Sequence, residues 1–301
     1  MSADTVVMCG VTRRYGKQDA VRDLDLTLRA GECVGLVGHN GAGKSTLIKM
    51  MLGLVLPSAG SVRVLGEDPA NGAAARARRE LGYLPENVAL HPSMTGAETL
   101  AFYARLKREP VARNAALLER VGIAAAADRR VGTYSKGMRQ RLGLAQALLG
   151  SPRALLLDEP TTGLDPALRH SFYEIIGDLR RGGAMVLLSS HALAELEGQV
   201  DRIVVMNQGR KVADGSIADL RGLAAIRPRV RLRLPCAPRA VANGPDAWAG
   251  WSSTSEGLLE RSCEDSELAS VLRGLPVSAR DIEIIRPSLD DLYAAFQKGA
   301  V

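Results

Sequence analysis

One stretch of the sequence has the residue types and spacing needed to hold a phosphate group. It reads Gly38-His39-Asn40-Gly41-Ala42-Gly43-Lys44-Ser45-Thr46 and fits the pattern G-x-x-x-x-G-K-[ST]. Glycines let the backbone wrap closely around an anion, and the start of a helix offers free N–H groups and a positive dipole end. Lys44 can reach the β- and γ-phosphates, and the Ser45 hydroxyl can bind Mg²⁺. The stretch therefore predicts a nucleoside triphosphate site with Mg²⁺.

Two adjacent carboxylates follow an apolar run further along the chain. Asp158 and Glu159 come directly after Ala154–Leu157, which is typical of a buried strand. A carboxylate at the end of such a strand can complete a Mg²⁺ site, which makes Asp158 the candidate metal ligand. Glu159 is then free to orient and deprotonate an attacking water. An acidic pair that merely caps the next segment is the alternative, and these residues alone leave it open.

A histidine ends another apolar run, Ala184–Ser190. A lone histidine is usually structural, but open α/β sheets bind their ligands at the carboxyl edge of the strands. Because Asp158 and Glu159 are predicted to lie at the same edge, His191 is a candidate catalytic residue.

The elements around these residues predict an α/β chain. Cys33–Val37 reads as a buried strand before the phosphate loop, and Leu47–Leu52 follows with helical spacing. Further strands are predicted over residues 5–9, 24–28 and 61–65, and over 81–86 as a short strand that ends at Pro85. A loop is predicted over Arg13–Gly16, and an inserted helical subdomain over about 87–150. These elements place the nucleotide domain at 1–220.

Composition restricts the possible partners. The 301 residues are 46% hydrophobic and carry a net charge of +6. No block of five like charges occurs, so a solvated basic surface is favoured over nucleic-acid binding.

No apolar run reaches about 18 residues and no secretory signal is visible, so we expect a chain that does not cross the membrane by itself. The cysteines Cys9, Cys33, Cys236 and Cys263 form no C-x-x-C pair, which predicts reduced thiols in a cytoplasmic protein without a metal cluster.

A second, smaller domain is predicted over 221–301. Strands are predicted at 229–234 and 281–285, a loop-like stretch at 235–257 and a helix at 267–275. Ser288 is placed to cap a closing helix. This small α/β accessory domain contains no catalytic constellation, so it is expected either to regulate or stabilise a dimer or simply to cover an edge of the larger domain.

Taken together, the ordered motifs over residues 5–220 resemble the ATP-binding subunit of an ABC transporter. Gly38–Ser45 resembles Walker A, Ala154–Asp158 Walker B, Gly163–Asp165 the D-loop and His191 the switch histidine. Tyr134–Met138 stands in place of the signature L-S-G-G-Q and keeps only its serine and second glycine. The resemblance implies a P-loop NTPase of ABC type, with a mixed core sheet, an antiparallel edge sheet and an inserted helical subdomain.

The same resemblance implies site residues and partners. Tyr15 would stack on adenine, and Glu86 stands where the family often has a glutamine that senses Mg²⁺ and water. Ser135 and Gly137 would contact the γ-phosphate bound to a second copy, in a head-to-tail homodimer with two ATP molecules at its interface. A separate transmembrane permease would bind the dimer at the cytoplasmic face of the inner membrane. The implied ATP-binding residues are Tyr15, Gly38, His39, Asn40, Gly41, Ala42, Gly43, Lys44, Ser45, Thr46, Glu86, Ser135, Gly137 and Asp165. The implied Mg²⁺ residues are Ser45, Asp158 and Glu86.

A narrower resemblance concerns the transported cargo. Gly82–Val88, Thr133–Gly150 and the tail around Asp281–Tyr293 resemble the ATPase of the transporter used in maturing the copper sites of bacterial nitrous oxide reductase. ATPases of drug and lipid exporters share much of the first two stretches and remain the alternative. A non-transport ABC ATPase is disfavoured because the chain has one cassette and no sustained heptads.

Overall fold

Buried apolar strands form the main sheet of the protein. The computed structural model describes residues 4–71, 74–162, 164–224, 227–234, 250–254, 258–264, 266–276 and 278–297. The strands of this sheet are β3 (Cys33–Val37), β5 (Leu81–Leu84), β6 (Ala154–Leu157), β7 (Met185–Ser190), β8 (Arg202–Asn207) and β9 (Arg210–Gly215). Their order is β5-β6-β7-β3-β8-β9, and all are parallel except β9. Every residue of β3 and β7 is buried, as expected of parallel strands covered on both faces.

An antiparallel sheet packs beside the main one. It has the order β2-β1-β4 and consists of β1 (Asp4–Tyr15), β2 (Gln18–Arg29) and β4 (Ala59–Val64). The loop predicted at Arg13–Gly16 is wrong for its first three residues, because β1 runs through Tyr15. Register shifts along β1 and a φ of +56° at Gly10 interrupt the alternation of buried and exposed residues, which hides the strand in the sequence.

Helices cover the sheets and form the predicted insert. They are α1 (Lys44–Met51), α2 (Ala75–Arg79), α3 (Gly96–Lys107), α4 (Asn114–Arg120), α5 (Lys136–Ala147) and α6 (Pro166–Arg181). α3, α4 and α5 fall within the helical subdomain predicted at about 87–150. Lys107 joins α3 to β5 and to the segment after α5. Its Nζ donates to the carbonyl oxygens of Leu81 at 2.8 Å and Leu149 at 2.9 Å. Burial lowers the pKa of Lys107 to about 8.

The chain divides into two units, Met1–Ile217 and Ala218–Val301. The second unit has an antiparallel sheet of β10 (Arg229–Arg233), β11 (Ser252–Ser253), β12 (Leu259–Ser262) and β13 (Arg280–Ile285). The strand order is β11-β12-β10-β13. The helices are α7 (Ile217–Ala224), α8 (Leu268–Arg273) and α9 (Leu289–Gln297). The Ser288 hydroxyl accepts the Asp291 N–H at 3.1 Å, as the predicted cap requires. Gly163, Cys236 and most of the predicted loop at 235–257 lie outside the described residues.

A buried glycine of the main sheet tests how tightly the insert packs against it. A Cβ atom at Gly82 in β5 would collide with the Ala147 carbonyl oxygen at the end of α5. Gly82→Ala should therefore lower the free energy of unfolding by about 1–3 kcal/mol through overpacking, measured by thermal or denaturant unfolding. Gly177→Ala in α6 is the control, because it meets only the movable end of Arg181 and should be neutral or stabilising. Equal stability of the two variants would contradict the close packing.

Candidate ATP site

The phosphate loop joins the end of β3 to the start of α1. Ala42 donates its N–H to the His39 carbonyl oxygen at 3.0 Å, and Gly41 and Gly43 have φ of +86° and +106°. A Cβ atom at Gly43 would collide with the Ala20 carbonyl oxygen, so both conformation and space require glycine there. The first N–H groups of α1 have no partner within the helix and can bind an anion.

Lys44 is the buried cation of the site. Its side chain is 6% exposed, and Nζ donates to the Gly38 carbonyl oxygen at 2.5 Å and lies 3.5 Å from Glu159 Oε1. Glu159 Oε2 is 2.8 Å from His191 Nδ1. Ammonium, carboxylate and imidazole thus form a continuous row. Glu159 Oε1 is buried and has no hydrogen-bond partner among the described residues, so this oxygen can accept from a further donor.

Ser189 contacts both strand-end acidic residues, Asp158 through its carboxylate and Glu159 through its backbone N–H. Its hydroxyl donates to Asp158 Oδ1 at 2.7 Å and accepts the Glu159 N–H at 2.9 Å. Asp158 is 4% exposed. Burial, and to a smaller extent the charge of Asp158, raises the pKa of Tyr83 to about 12, so this neighbouring phenol stays neutral at physiological pH.

Glu159 has a strained backbone. Its φ is +48°, in the left-handed region that residues other than glycine rarely adopt. Such a conformation costs about 1–3 kcal/mol and persists only where surrounding contacts impose it. The contacts of Glu159 with Lys44, Ser189 and His191 are among those that do so here.

A cleft of about 500 Å³ brings most of the predicted residues together. It is lined by Tyr15, Gln18, Ala20, His39, Asn40, Gly41, Gly43, Lys44, Ser45, Thr46, Glu86, Glu159, Thr162 and His191. Gly38, Ala42 and Asp158 are buried next to these lining residues in the chain. Tyr15 is 46% exposed, and the Arg13 guanidinium carbon lies 4.5 Å from the centroid of its ring.

Three further predicted residues neither line the cleft nor adjoin its lining residues in the chain. Ser135 caps α5, where its hydroxyl accepts the Met138 N–H at 3.2 Å. Gly137 lies in the first turn of the same helix. Asp165 caps α6, where its carboxylate accepts the Leu168 N–H at 2.9 Å. These residues lie in the described chain but are not gathered with the phosphate loop.

Other contributors could not be identified from the sequence. Gln18, Ala20 and Thr162 line the cleft because of strand pairing and turn geometry that the sequence pattern does not predict. The sequence does contain a signal for Ser189, since it is a polar residue near the end of a buried strand, two positions before His191. Its partner Asp158 comes from the neighbouring strand β6.

The residues present fit ATP and Mg²⁺. Mg²⁺ prefers oxygen ligands, and the Ser45 hydroxyl and the Asp158 carboxylate are two candidate ligands of this kind. Glu86 is exposed and adds a carboxylate to the cleft lining. The Lys44 ammonium and the loop N–H groups supply donors for phosphate oxygens.

No helix in the described part of the chain is both long enough and apolar enough to span a lipid bilayer.

Comparison with known proteins agrees with this geometry. Residues 21–162 match the family model described as ABC transporter. The Nod factor export ATP-binding protein I of Rhizobium sp. (strain N33) is 40% identical over 220 residues, which cover 72% of each chain. A solved ATP-binding subunit of an ABC transporter is 32% identical with a TM-score of 0.68, covering 73% of this chain and 92% of that one. The fold of cbiO1 from Clostridium perfringens, part of the ABC transporter complex cbiONQ, is also similar, with 22% identity and a TM-score of 0.65 over 73% of this chain and 91% of that one.

The predicted fold is thereby confirmed: it is an ABC-type P-loop NTPase fold with a mixed core sheet and antiparallel edge sheet. With the phosphate loop, the strand-end carboxylates and these relatives considered together, the chain belongs to the ABC transporter family as an ATP-binding and ATP-hydrolysing subunit.

Proposed function

We propose that the chain hydrolyses ATP in this cleft, with Glu159 as general base and His191 as its orienting partner. The observation that carries the proposal is the row of Lys44, Glu159 and His191, in which one buried carboxylate oxygen is left without a hydrogen-bond donor. A water molecule bound to that oxygen would be both oriented and activated.

In the proposed binding mode, the phosphate loop holds the triphosphate. The loop N–H groups and Lys44 neutralise the phosphate charges, and Tyr15 stacks on adenine through the ring face that Arg13 leaves open. Ser45, Asp158 and Glu86 would hold Mg²⁺. When bound, Mg²⁺ supplies charge neutralisation on the phosphate oxygens.

In the proposed reaction, Glu159 takes a proton from water while the water oxygen bonds to the γ-phosphorus. The bond from that phosphorus to the bridging oxygen breaks, and ADP leaves with the electron pair. His191 holds the Glu159 carboxylate in place through the 2.8 Å contact. Lys44 stabilises the negative charge that develops on the phosphate oxygens. Its ammonium group is largely excluded from water, which strengthens this electrostatic interaction.

A second copy is proposed to complete the site. Ser135 and Gly137 lie at the start of α5 and do not line their own cleft. In a head-to-tail homodimer they would contact the γ-phosphate held by the other copy. Groups supplied in trans to phosphoryl-transfer sites can be worth about 10³–10⁵ in rate. This subunit belongs to a transporter complex with a membrane component, and we place it at the cytoplasmic face of the inner membrane, bound through the face around Glu86.

Two candidate functions remain for the cargo. The stretches Gly82–Val88 and Thr133–Gly150 and the tail around Asp281–Tyr293 support a role in maturing the copper sites of nitrous oxide reductase. Relatives described as Nod factor export ATP-binding proteins favour the second candidate, an exporter. We propose the first because its resemblance extends into the tail, whereas the aligned region of the export relatives covers 72% of this chain.

The second unit is proposed to regulate or stabilise the dimer. Among its described residues we find no counterpart to the row of Lys44, Glu159 and His191. Its sheet instead carries ion pairs, including Arg229 with Glu260 at 2.9 Å. An accessory role therefore fits it better than a second catalytic site.

Replacing the proposed base tests the reaction. Glu159→Gln should nearly abolish ATP turnover while ATP binding persists, because the amide cannot take the proton of water; the variant should also trap a dimer with ATP. Phosphate release and size-exclusion chromatography measure the two effects. Lys44→Ala is the control and should lose ATP affinity, as measured by calorimetry. Undiminished hydrolysis by Glu159→Gln would reject Glu159 as the base.

Deleting the gene for this chain in its host tests the proposed role in copper-site maturation. If it serves copper-site maturation, nitrous oxide reductase should still be produced but should lack copper and activity. Copper content of the purified reductase is the measurement, with the Glu159→Gln chain supplied back as an inactive control and the unmodified chain as rescue. A fully copper-loaded reductase would reject this cargo and leave the exporter.

Truncation tests the second unit. A chain that ends at Ile217 keeps the whole first unit and should dimerise more weakly and hydrolyse ATP at a changed rate. Light scattering and steady-state ATPase assays compare it with the full chain. Unchanged values in both would reject a regulatory or dimer-stabilising role for residues 218–301.

A further inference from the structure

The turn that presents Glu159 is anchored from two elements besides its own strand. Gln140 of α5 donates from Nε2 to the Pro160 carbonyl oxygen at 3.2 Å. Thr161 donates from its hydroxyl to Glu195 Oε2 at 3.0 Å. Thr161 and Gln140 are 5% and 6% exposed. Side chains that are distant in sequence therefore hold two successive residues after Glu159.

Glu195 is the anchor with the most connections. It lies in the short 3₁₀ turn Leu193–Leu196, four residues after His191. While Oε2 accepts from Thr161, Oε1 is 3.1 Å from Arg169 Nη1 on α6. Its backbone carbonyl accepts the Tyr173 hydroxyl at 3.3 Å. Glu195 thereby joins the segment that carries His191, the turn that carries Glu159, and α6.

The protonation of Tyr173 is consistent with this arrangement. Burial chiefly, and the nearby Glu195 carboxylate next, raises the pKa of Tyr173 to about 12. The phenol therefore keeps its proton at physiological pH and can donate to the Glu195 carbonyl oxygen. The contact holds the 3₁₀ turn against α6.

The strained backbone of Glu159 explains why such anchoring matters. A residue other than glycine at φ +48° reverts to a lower-energy conformation unless neighbouring contacts impose the strain. Ser189 holds the N–H of Glu159, and the Thr161–Glu195 hydrogen bond holds the far end of the same turn. Releasing the far end would let the Glu159 carboxylate move relative to His191 and Lys44.

We infer that Glu195 and Thr161 are positioning residues for Glu159, setting its carboxylate against His191 and the attacking water. The inference rests on the proposed function, in which Glu159 is the base. Neither residue needs to touch ATP for this role: Thr161 and Glu195 do not line the cleft. A positioning role predicts a loss in kcat, because a displacement of about 1 Å at a reacting group can cost about 100-fold in rate.

The test uses the full chain, four substitutions at these two positions and one control substitution. Thr161→Val keeps the volume and removes the hydroxyl, and Glu195→Ala removes the acceptor; each should lower kcat about 10- to 100-fold with KM for ATP and the melting temperature nearly unchanged. Thr161→Ser and Glu195→Gln keep the hydrogen bond and should recover most of kcat. The double variant Thr161→Val/Glu195→Ala should be no slower than the slower single variant, because both remove one interaction. Glu174→Gln, an exposed carboxylate on the same α6, is the matched control.

The outcomes separate this inference from the proposed function. Wild-type kcat in Thr161→Val and Glu195→Ala, with an inactive Glu159→Gln, would overturn the positioning role alone. A fall in kcat that comes with a comparable fold-loss of ATP affinity, or with a clear drop in melting temperature, would overturn it too. Such a result would indicate a general structural defect. An active Glu159→Gln would overturn the proposed function itself.

Discussion

The site depends on keeping the charge of Lys44 almost entirely out of water. Removing an ammonium group from water costs several kcal/mol unless partners compensate. The Gly38 carbonyl oxygen at 2.5 Å and the Glu159 carboxylate at 3.5 Å are those partners. They come from opposite sides of β7, which lies between β3 and β6 in the sheet. The strand order therefore sets the geometry of the phosphate loop and the proposed base at once, and the end of β7 adds Ser189 and His191 between them.

Much of the site can be predicted from the sequence because its signals are local. The phosphate loop is contiguous, and Asp158, Glu159 and His191 each follow a buried apolar run. Placing them together needs only the rule that parallel strands end at one edge. The contacts that hold them cannot be predicted in this way. Ser189 meets Asp158 across two strands, and Thr161 meets Glu195 34 positions away, so both depend on tertiary structure. The full length of β1 could not be predicted for a different reason: bulges interrupt its alternation of buried and exposed residues.

The strain at Glu159 shows how stability and function are divided. Buried strands contribute most of the packing, while the turn after β6 adopts a backbone that is unfavourable by itself. The hydrogen bonds that this turn makes with Ser189, Gln140 and Glu195 offset that cost. A carboxylate held in this way has little freedom to rotate, which suits a group that must meet a small nucleophile in one orientation. The Glu159 side chain is 11% exposed and the His191 side chain is 60% exposed. The constrained carboxylate therefore lies inside, and the imidazole faces solvent.

The position of α5 links the proposed dimer to this rigid turn. The Ser135 hydroxyl uses one lone pair to accept the Met138 N–H, so its proton remains free to donate to a phosphate oxygen. The first N–H groups of α5 point out of the same helix end. One and a half turns further along, Gln140 bonds the Pro160 carbonyl next to Glu159 of its own copy. In the proposed homodimer, a γ-phosphate that draws α5 towards the partner's site would therefore pull on the catalytic turn of its own site. Coupling between the two ATP molecules would then follow from one helix that faces the partner's nucleotide at its first turn and holds its own catalytic turn through Gln140. Each copy's base would be adjusted by the nucleotide that the other copy holds.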